Sequence, residues 1–106
     1  MKWEFIYYSK RVERDVLSLP KELLAEYHAM QKMMGEKGPN LGMPYTRAMG
    51  EGLFEMRLSD KDGIARVFYC TIEKHEIVVL HSFIKKTRAT PDRELQLARK
   101  RLREVK

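Results

Sequence analysis

The chain has 106 residues, a net charge of +6 with histidine neutral, and a single cysteine. That length suits one compact domain spanning residues 1–106 with a single core, and lone Cys70 excludes an intramolecular disulfide and suits a reducing cytoplasm. No apolar run approaches the roughly 20 residues that cross a bilayer, and the opening Met1-Lys2-Trp3-Glu4 breaks its hydrophobicity too early for a signal peptide, so a cytoplasmic protein without a membrane partner is expected.

The first predicted element is a strand, Trp3 to Tyr8, whose alternation puts Trp3, Phe5 and Tyr7 on one face. Ser9 can cap a following helix in which Val12, Val16 and Leu19 recur at helical spacing. Pro20 stops that helix and permits the next, where Leu23, Tyr27, Met30 and Met34 form one stripe. A methionine-rich stripe can be an adaptable groove for a partner, but a helical core face is the simpler reading. Gly35, Gly38, Pro39, Gly42 and Pro44 then predict an irregular connection that lasts through Gly52. Within it, Tyr45 and Arg47 are candidate ligand contacts, an aromatic face and a cation, although a tyrosine here can also fold back on the core.

Three strands follow with short connections, near 53–58, 64–72 and 77–84, which predicts an antiparallel meander. Period two sets Phe54, Met56 and Leu58 against Glu55 and Arg57, and Ala65, Val67 and Tyr69 against Arg66, Phe68 and Cys70. On the last strand His81, Phe83 and Lys85 share a face opposite Leu80, Ser82 and Ile84. Charge inside a small core is expensive without a partner, so Arg57, Arg66, His81 and Lys85 are expected together on the open face, as a cationic concavity. A slip of one residue in register would undo that grouping.

Thr90-Pro91 should cap a final helix, with Asp92 and Glu94 suited to its positive end. Leu95, Ala98, Leu102 and Val105 make a narrow apolar seam, and Arg99, Lys100, Arg101 and Arg103 should fan outward. From His81 to Lys106 there are nine basic and three acidic residues, so this end of the chain carries the whole excess of +6. A segregated positive field attracts polyanions, chiefly nucleic acid, though a basic helix can also be a plain solubilising face. The run Phe83-Ile84-Lys85-Lys86 thus leaves the core at the rim of a basic groove where Lys85 and Lys86 could hold phosphates. His28, His75 and His81 lie on different elements, which is no zinc spacing, and no glycine-rich phosphate loop or serine nucleophile signature is present.

The segments "LFEMRL", "ARVFYC", "VVLHSFIKKT" and "TPDRELQLARKR" resemble the HigB-like, phage-derived branch of the RelE/ParE toxin superfamily. The order strand, two helices, three-strand meander and basic helix matches along nearly the full chain. The resemblance implies an α+β fold of RelE type (β-α-α-β-β-β-α) and a type II toxin-antitoxin toxin, a ribosome-dependent mRNA endoribonuclease. It would use no metal or other cofactor, attacking the phosphate with the adjacent ribose 2′-hydroxyl. Its partners would be mRNA on the ribosome and a cognate antitoxin, often with a helix-turn-helix DNA-binding domain.

Carried over residue by residue, Arg66 would contact the phosphate and transition state. Lys85 and Lys86 would supply electrostatics or a depressed-pKa base, and Arg57 would position phosphate. Along with Tyr45 and Arg47, Arg88, Arg99 and Arg103 are candidate RNA contacts. Some relatives carry a tyrosine or histidine in or near the final helix for proton transfer; residues 92–106 have neither. Either Lys85, Lys86 or His81 takes that role, although a lone strand histidine can be structural, or the chain is a non-catalytic RNA- or ribosome-binding module or a ParE-like inhibitor of another target.

Overall fold

In the computed structural model, which describes residues 2–61, 63–86 and 89–106, strand β1 (Glu4–Tyr7) leads into helices α1 (Lys10–Leu17) and α2 (Lys21–Lys37). The start of α1 is set by Ser9, whose Oγ accepts the Val12 N–H at 3.2 Å. Val12 and Val16 are buried, as are all four residues of the predicted α2 stripe, so the methionines are core. Tyr27 reaches the first strand through a 2.7 Å hydroxyl contact with Tyr7.

The glycine-rich segment departs from expectation. Helix α2 runs on through Gly35 to Lys37, because the modest cost of a helical glycine is offset by tertiary bonding: Trp3 N–H donates to the Gly35 carbonyl at 2.8 Å. Residues Thr46–Gly50 then form a further strand, β2, paired antiparallel with β3 (Leu53–Asp60). The turn between them, Gly50-Glu51-Gly52, has φ of 95°, 57° and 87°, so the two glycines serve a tight hairpin rather than an irregular loop. Buried Thr46 secures its approach, accepting the Gly42 N–H at 2.9 Å and donating to Asn40 Oδ1 at 3.2 Å.

Strands β4 (Gly63–Ile72) and β5 (Glu76–Lys85) and helix α3 (Asp92–Val105) complete the described chain. The sheet order is β1-β5-β4-β3-β2, with β1 parallel to β5 and the other pairs antiparallel. The fold is therefore α+β as expected, with three helices and a five-stranded mixed sheet among the described residues; the meander has four strands, not three. The α1/α2 hairpin packs on one face, over Met56, Leu58, Ala65, Val67, Tyr69, Ile77 and Val79. Helix α3 packs on the other through Ala98 and Leu102, over Leu53, Phe68, Cys70, Val78 and Leu80. No described helix is long and apolar enough to cross a membrane.

A β-bulge corrects the reading of the last strand. Phe68 pairs with His81 but Tyr69 pairs with Val79, which leaves Leu80 as the extra residue. The alternation of β5 is shifted there by one, so Val78 and Leu80 pack beneath α3 while His81 and Phe83, farther along, pair on the same face with Phe68 and Arg66. Strict alternation had set Leu80 opposite His81.

Candidate functional site

Beyond the reach of the α3 seam, the same sheet face becomes polar, and the registers place its side chains on successive rungs. One rung reads Arg47, Glu55, Phe68, His81; the next Arg57, Arg66, Phe83; the last pairs Ile64 with Lys85. Directly opposed residues on such rungs have Cβ atoms about 4.5–5.5 Å apart. Four cations from four strands, Arg47, Arg57, Arg66 and Lys85, thus gather about Glu55. That carboxylate is 1% exposed and Arg66 is 5% exposed. Arg57 Nη1 donates to Glu55 Oε1 at 3.3 Å, and Arg66 Nε lies 3.8 Å from Glu55 Oε2.

Crowding shows in the protonation equilibria. Burial, then the charges of Arg57 and Arg47, push Arg66 below the usual arginine range, while Glu55 opposes the shift. Half-buried Lys85 is likewise pushed down, first by desolvation, then by Arg66, with smaller contributions from Arg57 and Arg47 and with Glu55 again opposing. A group of this kind binds an oligoanion well, since a phosphate relieves repulsion among cations already held together. It also holds a lysine that gives up its proton more readily than an ordinary lysine.

Of the residues picked out by sequence, Arg47, Arg57, Arg66 and Lys85 come together. His81 shares the face, but its Nε2 lies 2.5 Å from Glu94 Oε1 and its ring stacks near Phe83, with centroids 5.9 Å apart. Lys86 is exposed just past the end of β5. Tyr45 is 48% exposed and immediately precedes β2, and its carbonyl accepts the Arg57 N–H at 2.9 Å. Arg88 lies outside the described residues. Two cations of α3 do not fan outward. Arg99 donates to the Met49 and Gly50 carbonyls at 2.8 and 3.2 Å, tying the helix to the β2–β3 turn. Arg101 donates to the Leu80 carbonyl at 2.7 Å and stands 5.0 Å over the Tyr8 ring. Both find partners there because the bulge and the turn leave carbonyl groups facing the helix. Arg103 is exposed, as expected.

Two contributors escaped the sequence reading. Glu55 was not among the candidate site residues, although its position two before Arg57 puts both on one face, the available signal for a carboxylate among the cations. Thr90 was expected to cap α3; Pro91 occupies the cap position without a side-chain bond, and the Thr90 hydroxyl instead donates to Glu55 Oε2 at 3.3 Å.

Concave surface also lies away from this cluster, in one place lined by Arg99, Arg103, Lys106 and Glu51. A groove of about 640 Å³ lies between the β4–β5 turn and the end of α3, lined among others by Ile72, Glu73, Lys74, Glu76 and Val105. It sits at the opposite end of the β4–β5 ladder from Lys85 and carries both signs of charge. Among the described residues no three His, Cys, Asp or Glu side chains cluster as a metal site.

Residues 14–103 match a family model described as phage derived protein Gp49-like (DUF891), a span that runs from within α1 to near the end of α3 and includes every member of the cationic cluster. No curated protein matches the chain.

Proposed function

The chain belongs to the phage-derived Gp49-like family, and from that premise we propose that it is a type II toxin of the HigB-like branch of the RelE/ParE superfamily, an endoribonuclease that cuts mRNA on the ribosome. The observation that carries this reading is the convergence of Arg47, Arg57, Arg66 and Lys85 from four strands around one buried carboxylate. Four cations around one carboxylate leave an excess of positive charge, which a bound phosphate would offset.

In the proposed reaction the ribose 2′-oxygen attacks the adjacent phosphorus as its proton leaves, and the bond from phosphorus to the 5′-oxygen breaks. The products are a 2′,3′-cyclic phosphate and a 5′-hydroxyl, whose oxygen has gained a proton. Arg66 and Arg57 stabilise the extra negative charge on the phosphorane-like transition state. Lys85, its pKa lowered by desolvation and by Arg66, takes the 2′-hydroxyl proton. Lys86, just outside, supplies charge or returns a proton to the leaving oxygen. His81, oriented by Glu94 at Nε2, would act through its other ring nitrogen, Nδ1. Arg47 and exposed Tyr45 hold and stack the neighbouring nucleotides, and exposed Arg103 adds positive charge on α3. A cognate antitoxin with a helix-turn-helix domain and an acidic segment would complement this face.

The lack of a tyrosine or histidine in residues 92–106 favours one other reading, a non-catalytic RNA- or ribosome-binding module. Mapping message ends after induced expression separates the two. Cleaved messages ending in 2′,3′-cyclic phosphate are expected, with Arg66→Ala lowering the cleavage rate by roughly 10²–10³ while the circular dichroism spectrum is unchanged. Intact messages, together with salt-sensitive RNA retention, would refute scission and leave the binding module.

A further inference from the structure

A guanidinium has five N–H donors. In Arg66, Nη1 donates to the Ala65 carbonyl at 3.1 Å, while Nε is buried without a hydrogen-bond partner among the described residues. Its nearest carboxylate oxygen, Glu55 Oε2 at 3.8 Å, is within charge contact and beyond hydrogen-bond range. Glu55 is itself held at both oxygens, by Arg57 Nη1 on Oε1 and by the Thr90 hydroxyl on Oε2, each at 3.3 Å. These ties come from β3 and from the segment just before α3, and they hold the carboxylate short of hydrogen-bond range to Arg66 Nε. A buried polar N–H left over in a native structure calls for an explanation, and a donor reserved for a ligand oxygen supplies it.

We propose that Glu55 is the positioning residue of this site: its doubly anchored carboxylate holds the Arg66 guanidinium in place by charge while leaving the Nε–H to a phosphate oxygen, and keeps the four cations within the span of one phosphodiester. The inference rests on the RNA-cleavage reading above. Glu55 touches no reacting atom; it acts through Arg66 and Lys85. The groups facing it are Arg47 from β2, Arg57 from its own strand, Arg66 from β4, Lys85 from β5 and the Thr90 hydroxyl ahead of α3, with the His81–Glu94 pair at the end of its rung. Since Glu55 opposes the downward shift of Lys85, removing its charge sends the Lys85 titration lower still.

The test uses the full chain with Glu55→Gln and Glu55→Asp. Three quantities are measured: binding of a short uncleavable RNA, single-turnover cleavage of a message on programmed ribosomes, and the NMR titration of the Lys85 side chain. Glu55→Gln removes one negative charge, so it should bind RNA at least as tightly as wild type, cleave it at least tenfold more slowly, and titrate Lys85 at lower pH. Glu55→Asp should restore the Lys85 titration and part of the cleavage rate. Cleavage at the wild-type rate with an unmoved Lys85 titration overturns the proposal, and so does a joint collapse of affinity, cleavage and melting temperature, which would mark Glu55 as structural only. Should Glu55→Gln fail to fold, Thr90→Val leaves the charge but frees Oε2; slower cleavage at unchanged affinity is expected, and wild-type cleavage overturns the assignment. A wild-type protein that never cleaves sinks the scission reading alone, because the Lys85 titration still decides whether Glu55 organises the cluster.

Discussion

The two faces of the sheet are built from alternate residues of the same strands and are put to opposite uses. Toward the α1/α2 hairpin, apolar side chains from β3, β4 and β5 meet a continuous apolar surface, and the core cluster there includes Val12, Val16, Leu23, Tyr27, Met30 and Met34. Toward α3 the cover stops partway: Cys70, Val78 and Leu80 lie beneath Ala98 and Leu102, but past Phe68 the face holds Glu55, Arg57, Arg66 and Lys85. Length accounts for much of this. Helix α3 has 14 residues, about 21 Å at 1.5 Å per residue, and it meets strands β4 and β5 of 10 residues each, about 33 Å long. One helix leaves part of such a face without an apolar cover, and there Glu55 and Arg66 are buried against each other's charge while Arg57 stays partly exposed. The comparison teaches that fold and candidate chemistry occupy one sheet without competing, since period two sends consecutive residues to different surroundings.

Substitutions that act on one face and spare the other put this division to the test. The largest effect should come from the covered face: Tyr27→Ala removes a fully buried ring and its bond to Tyr7 and should cost about 3–5 kcal/mol in denaturant unfolding. A loss below about 1 kcal/mol would mean the hairpin face is not the main source of stability. Next comes the boundary, where Arg99→Ala forfeits two charge-assisted bonds to the Met49 and Gly50 carbonyls and should cost about 1.5–3 kcal/mol, with faster hydrogen exchange in the β2–β3 turn. Exposed Arg103→Ala should stay within about 0.5 kcal/mol, and equal losses at the two arginines would erase the distinction drawn between them. On the open half, Arg47→Ala should leave stability within about 0.5 kcal/mol and lower the salt slope of RNA binding by about 0.7; a slope equal to wild type would remove Arg47 from the phosphate contacts.

The smallest effect concerns pH. Lys85 has its folded pKa below the unfolded one, so between those two values the unfolded chain binds more protons and stability rises with pH. Below the folded value the cost of holding the charge is present in full. Lys85→Met should therefore be slightly more stable than wild type at neutral pH, and the gap should narrow as pH climbs through the folded Lys85 value toward the ordinary lysine range. Parallel stability curves for the two proteins from neutral to alkaline pH would show that Lys85 does not feel its neighbours.

What the amino-acid sequence determined was local and periodic. The Ser9 cap, the Leu23-Tyr27-Met30-Met34 stripe, the Ala98-Leu102 seam and the split of Arg66 from Val67 all follow from backbone periods of 3.6 and 2, which belong to each segment by itself. Those periods were enough to place Arg57, Arg66 and Lys85 on one face in advance. The tertiary structure alone decided which segments meet. It drew Thr46–Gly50 from a glycine-rich stretch into a strand, since an edge strand needs only a partner ladder and a permissive turn. It set the extra residue at Leu80, which brings Val78 and Leu80 onto the same face as His81 and Phe83. It turned Arg99 and Arg101 onto backbone carbonyls and sank Glu55 among cations that are distant in the chain. Burial, partner choice and pKa are properties of surroundings, and surroundings come from long-range packing that no local pattern encodes.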